Sequence, residues 1–134
     1  MAEQYSTAVR NAALDAMETA IGTSPILKFF TGSVPANCAA ASTGTVLVSM
    51  TCPSDWWAAA SGGVKTIAGT WNFTGIAAGT IGYFRLFDST GTTCHWQGTV
   101  TATGGGGDMT VDNTSIAVGQ NGSVTTWSRT FPGA

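Results

Sequence analysis

Charge is what this chain has least of. Asp, Glu, Lys and Arg make up 9% of its 134 residues, where about a quarter is usual in a soluble domain. Five Lys and Arg are scattered along the sequence and the formal net charge is −2. No basic stripe exists to neutralise phosphates, which argues against nucleic-acid binding. Long apolar runs are missing too. None approaches the roughly 18 residues that a membrane span needs. The opening stretch MAEQYSTAVRNAALDAMETAIG lacks the basic region and apolar core of a secretory leader, so the expected place of synthesis is a reducing cytosol. Histidine occurs once, at His95, and Cys38, Cys52 and Cys94 include no C-x-x-C pair. Zinc has no convincing ligand set, and an odd number of cysteines makes no disulfide framework. Small buried apolar side chains are the first reading of the three thiols. A late disulfide drawn from Cys38, Cys52 and Cys94 is the second, should the protein end up outside a cell.

What the chain has instead is Thr, Ala and Gly, with 43% hydrophobic residues overall. A surface of Thr, Ser, Asn and Gly is polar yet almost uncharged, and such a surface suits a protein covered by partners better than a free monomer. The length fits a single domain, 1–134, with a proper core. Residues 4–21 read as one amphipathic helix with Gly22 as its stop and Pro25 barring continuation. Tyr5, Val9, Ala13, Met17 and Ile21 fall on one stripe beside Leu14, with Arg10, Asp15 and Glu18 off it. Tyr5, Val9 and Met17 make that stripe a candidate packing face for a sheet or a neighbouring subunit. The rest, 26–131, reads as β. Strands are expected near 26–30, 46–50, 70–73, 81–87, 93–101, 109–111 and 124–131, separated by Gly, Pro, Asn and Asp. About seven short strands after one N-terminal amphipathic helix predict a mainly β fold, an antiparallel β-sandwich or barrel. The segments VPANCAAASTG and PSDWWAAASGG read as longer loops.

The stretch FRLFDSTGTTCHWQGTV, residues 84–100, gathers the reactive letters. DSTG has type I turn chemistry, so the stretch is a β-hairpin. In its second strand Cys94, Trp96, Gly98 and Val100 should share one face and His95, Gln97, Thr99 and Thr101 the other. Cys94 and His95 then diverge, which a nucleophile–base pair does not permit. DSTG also fails as an aspartic-protease Asp-Thr/Ser-Gly, having one residue too many. It fails as a phosphorylating-ATPase DKTGT because Ser89 stands where lysine belongs. TGGGGDMTVDN lacks the Lys-Ser/Thr and the helix of a phosphate loop, and Met109 breaks the pattern of a calcium-binding repeat. Calcium at Asp108 and Asp112 is a minority reading, since the ion wants about six oxygens. Most acids sit in the helix or in turns, and nothing in their spacing favours a glycosidase pair. No cofactor is expected.

The aromatic residues say more. Of Trp56, Trp57, Trp71, Trp96 and Trp127, the last three sit within expected strands and read as core. Trp56 and Trp57 lie side by side in a loop, where one exposed indole would anchor a protein interface or stack on a sugar. Interface or local core ranks above sugar binding.

Three segments, SPILKFFTGSVPANCAAASTGTVL, AAASGGVKTIAGTWNFTGIAAGTIGYFRLFDSTGTTCHWQGTV and DMTVDNTSIAVGQ, resemble a family of small structural proteins of tailed-bacteriophage and prophage virions. The shared features are an aromatic strand leading into TG-x-x-P-A (Phe29 to Ala36), a G-x-FR-[IL]-[YF]-D-S-x-GTT hairpin (Gly82 to Thr93) and [LV]-[DN]-NTSI-x-x-G (Val111 to Gly119). They span nearly all of the chain after Gly22; GQNGSV departs from the pattern before the last strand. The resemblance implies a non-enzymatic virion component assembled in the host bacterial cytoplasm. A capsid decoration or cement protein is the first expectation, with neck, collar or tail close behind. Its partners would be the major capsid or neck and tail subunits and further copies of itself. The rival expectation is a host-surface glycan-binding module using Trp56, Trp57 or Trp96.

Overall fold

The computed structural model describes residues 3–134; Met1 and Ala2 of the expected domain lie outside the described residues. Helix α1 spans Thr7–Ile21. Ser6 caps its start by accepting the Val9 N–H at 3.2 Å, which sets the boundary three residues later than hydropathy alone suggests. Gly22, at φ 91°, closes it with its N–H on the Glu18 carbonyl. The buried face differs from the expected stripe. Arg10, Leu14 and Ile21 are buried, whereas Tyr5 and Val9 stand exposed. Arg10 turns inward because its guanidinium lies flat against Gly63, where no Cβ stands in the way, and its Nε donates to the Phe131 carbonyl at 2.9 Å.

Ten strands follow: β1 Ile26–Phe30, β2 Val46–Thr51, β3 Val64–Thr66, β4 Asn72–Thr74, β5 Gly79–Thr80, β6 Tyr83–Phe87, β7 Cys94–Ala102, β8 Met109–Val111, β9 Ser115–Ile116 and β10 Asn121–Thr130. The main sheet runs β2-β1-β6-β7-β8-β10-β3, with β4 on β10 beside β3, while β5 and β9 pair separately. It curls into a half-barrel, mainly β as expected. The two ends approach each other where the Ile76 N–H donates to the Leu47 carbonyl at 2.8 Å.

One pair departs from the antiparallel expectation. β7 and β8 are parallel, with Val100 opposite Met109. A parallel return usually takes a dozen residues or more. Here residues 103–108 suffice because the glycine run hugs the strand it leaves. A Cβ on Gly107 would stand 2.9 Å from the Thr101 nitrogen, and Gly104 takes a left-handed φ of 85°. Asp108 then locks the return, its Oδ2 accepting from the Thr99 N–H at 2.9 Å.

The core inside the curl is built on indoles. Trp127 of β10 has Trp96, Phe84, Trp57, Trp71 and Trp56 with ring centroids 4.6, 5.4, 5.4, 5.6 and 6.1 Å away. Helix α1 covers this cluster and is clamped by Lys65 of β3, which is 1% exposed. The Lys65 ammonium lies 2.6 Å from Asp15 and 2.7 Å from Glu18. Burial presses that ammonium's pKa down, and the bonds to Asp15 and Glu18 more than reverse it, leaving it raised. The Lys65 bond, then the Ala60 N–H, hold the Asp15 carboxyl below its usual value. A depressed acid stabilises the fold above its unfolded pKa and loses that contribution as pH falls through its folded value. The raised lysine stabilises below its unfolded pKa and loses its share only as alkali passes its folded value. Asp15 is half exposed, so its share is at most about 1 kcal/mol. The urea midpoint of the wild type is therefore expected to fall more steeply below about pH 4 than that of Lys65→Met. Parallel acid limbs in the two proteins would show that the clamp adds nothing.

Candidate functional site

The hairpin of residues 84–100 forms as expected, and its reactive letters are spent on structure. The Asp88 carboxylate accepts from the Thr92 N–H at 3.0 Å, the Thr93 N–H at 3.3 Å and the Thr90 hydroxyl at 2.9 Å. These bonds, the Thr92 N–H first, hold its pKa below the usual carboxylate value. Opposite, Leu86 pairs with Trp96 but Phe87 pairs with Cys94, so His95 is an extra residue in the strand. That bulge corrects the expected facing. Trp96 joins the indole core, whereas Cys94 turns to the other side and packs with Phe30, Tyr83 and Phe87. His95 is exposed and lines a shallow cavity of about 430 Å³ with Met17, Ala20, Ile21, Trp96 and Arg129. No carboxylate is among those lining groups.

On the Cys94 side the governing residue is Arg85, 2% exposed. Its Nη1 donates to the Ala40 carbonyl at 2.8 Å and to Ser42 Oγ at 3.2 Å. Nη2 reaches the Asn37 carbonyl at 3.0 Å, and Nη2 and Nε both reach Gln97 Oε1, at 2.9 and 3.1 Å. Gln97 in turn donates to the Pro35 carbonyl at 2.7 Å. The guanidinium thus gathers the long β1–β2 connection onto the sheet, using its planar fork of donors as lysine could not.

Trp56 and Trp57 require a correction. They are 0% and 1% exposed and stack at 5.1 Å and 10°, so neither offers a surface for a partner or a sugar. Both enter the core because this segment is irregular and is covered by α1, with Trp56 Nε1 donating to the Gly22 carbonyl at 2.8 Å. Tyr5 and Val9 remain on the surface, 45% and 50% exposed, and Met17 is half-buried under the helix. Asp108 bonds Thr99, whereas Asp112 Oδ1 accepts the Ser123 N–H at 3.1 Å. Asp108 is tied to β7 and Asp112 to β10, and no cluster of three metal-binding side chains occurs among the described residues.

A second, larger concavity was not foreseen from the sequence. It holds about 760 Å³ between β2, β4 and β10 and is lined by Ser49, Asn72, Thr74, Asp112, Asn121 and Ser123 around the apolar Met50, Phe73 and Ile76. Ser123 Oγ donates to Asn72 Oδ1 at 2.7 Å, and Thr74 Oγ1 donates to Asn121 Oδ1 at 3.0 Å. With their carbonyl ends engaged, both asparagines have NH₂ donors left over, and Asp112 keeps Oδ2 as an acceptor. These residues come from β2, β4, β10 and the turns after β4 and β8, far apart in the chain, so only Asp112 carried any signal in the sequence. Compared with known proteins, the chain matches no family model, no curated protein and no solved structure.

Proposed function

We propose that this chain is a structural subunit of a tailed-phage virion, working through contacts with neighbouring subunits. A decoration or cement protein on the capsid shell is the first placement, and neck, collar or tail the second. The observation that carries this reading is what the fold does with the residues of the family resemblance. Arg85 binds a loop, Asp88 caps a turn, and Asn113 Oδ1 accepts the Ser115 N–H at 2.9 Å. All three hold backbone.

The surface supports the same reading. Three of the five Lys and Arg, namely Arg10, Lys65 and Arg85, are buried, so the outside is poorer in charge than the composition. Ile76 and Val118, 56% and 73% exposed, stand on turns joined by the Gly119 N–H bonding to the Gly75 carbonyl at 2.8 Å. Tyr5 and Val9 add a second exposed apolar site. Apolar groups on a charge-poor surface are what subunit contacts cover.

The test is the copy number in purified particles, by quantitative mass spectrometry against the major capsid protein. A number comparable to the capsid subunit is expected for decoration, and a few to a few dozen copies for neck, collar or tail. Absence from particles would overturn the reading. It would favour the second one, a host-surface glycan-binding module, now seated on the β2–β4–β10 groove. The leftover amide donors and the Asp112 acceptor suit vicinal hydroxyls better than charged ligands.

A further inference from the structure

We infer that Cys38 and Cys94 are a redox pair that closes into an intramolecular disulfide in an oxidising thiol buffer, stapling the β1–β2 connection to β7, while Cys52 stays reduced. The inference stands on the arrangement of that connection and does not depend on where the protein works.

Residues 35–43 are laid over the β6–β7 face by bonds on both sides of Cys38. Before it, the Pro35 and Asn37 carbonyls are held by Gln97 and Arg85. After it, Arg85 holds Ala40 and Ser42, and the Thr43 N–H donates to the Tyr83 hydroxyl at 3.0 Å. The Asn37 side chain also accepts the Ala40 N–H at 2.9 Å, fixing the turn that carries Cys38. From the strand side, the bulge at His95 turns Cys94 onto this same face, opposite Phe87 and beside Arg85. Cys38 follows Asn37, whose carbonyl Arg85 holds at 3.0 Å, so Cys38 and Cys94 lie on the same face of the sheet, near enough for the thiols to influence each other. Were β7 regular through His95, Cys94 would share the Trp96 face and point into the indole core, and the two sulfurs would lie on opposite sides of the sheet.

The three cysteines differ in what they can do. Cys52 is 2% exposed within the main core, and burial pushes its thiol up to about 12. Cys94 is pushed up to about 11, by burial first and then by Cys38, which makes it a poor first nucleophile. Cys38 sits on a loop and is half-buried, so it is the entry point. Its thiolate attacks the disulfide of oxidised glutathione, forming a mixed disulfide and releasing one glutathione thiolate. Cys94 gives up its proton and attacks the Cys38 sulfur of that mixed disulfide, releasing the second glutathione. Two protein thiols are oxidised, one glutathione disulfide is reduced to two thiols, and no other oxidant is needed.

The experiment takes the full chain through glutathione buffers of increasing oxidised share, then alkylates under native and denaturing conditions and maps peptides by mass spectrometry. The expected product is a monomer lighter by two hydrogen atoms, with Cys38 joined to Cys94 and Cys52 alkylated only after denaturation. Its Tm should rise by roughly 5–10 °C over the reduced protein. Cys38→Ser and Cys94→Ser should each lose the bridge, and Cys52→Ser should keep it. Three thiols still alkylatable at the most oxidising ratio would overturn the pair. So would a bridge involving Cys52, a cross-link between chains, or a glutathione adduct that persists on Cys38 beside a free Cys94.

Discussion

Trp127→Ala is expected to remove about 3–5 kcal/mol of stability. Trp127 is 2% exposed, and its ring is the one that Phe84 and the other four indoles all touch. Truncation would open a cavity that the surrounding rings cannot fill, because they come from α1-covered loops and from strands fixed by sheet hydrogen bonds. A domain of this size has about 5–15 kcal/mol in all, so the variant should sit near its unfolding midpoint in mild urea. Trp127→Phe keeps an aromatic hub and should lose less than half as much. A urea midpoint within experimental error of wild type for Trp127→Ala, at unchanged m, would mean that the indole cluster is not the energetic centre of the fold.

Arg85→Met ranks next, at about 2–4 kcal/mol. The loss is several hydrogen bonds from a charged donor, each worth roughly 1.5–3 kcal/mol, offset in part because the buried charge itself no longer has to be desolvated. The loss should be local in character. Residues 35–43 would lose the anchor that gathers the Asn37 and Ala40 carbonyls, and limited proteolysis should cut there while the indole core persists. Arg85→Lys should rescue little, because an ammonium cannot span acceptors set out for a planar fork. A variant that keeps wild-type resistance to proteases across this segment would show that Tyr83 and Gln97 hold it unaided.

Short-range chemistry explains which features were legible beforehand. The stop at Gly22, the turn at DSTG and the span Ile26–Phe30 each depend on residues within a few positions of one another. The helix start moved to Thr7 because Ser6 is worth more as a cap than as a helical residue. Strict alternation of faces failed at His95, where a bulge adds a residue to one strand only. Trp56 and Trp57 lie outside the regular strands, and both turn inward under α1.

From the order of residues alone came a charge-poor, mainly β chain behind a capped helix, with a hairpin at 84–100 and no adjacent nucleophile and base. Folding added everything that depends on partners far apart in the chain. Lys65 meets Asp15 and Glu18 across about fifty positions, Arg85 meets Asn37 and Ala40 across forty-five or more, and the groove joins Ser49 to Ser123. The glycine run could be read as flexible but not as a parallel return, because that depends on how closely Gly107 passes Thr101. Which face of the sheet Cys94 takes turned on a single bulged residue in β7. Propensity and periodicity act over a turn or a strand. The register between strands is set by packing the whole sheet around Trp127, and that register is what brings distant side chains together.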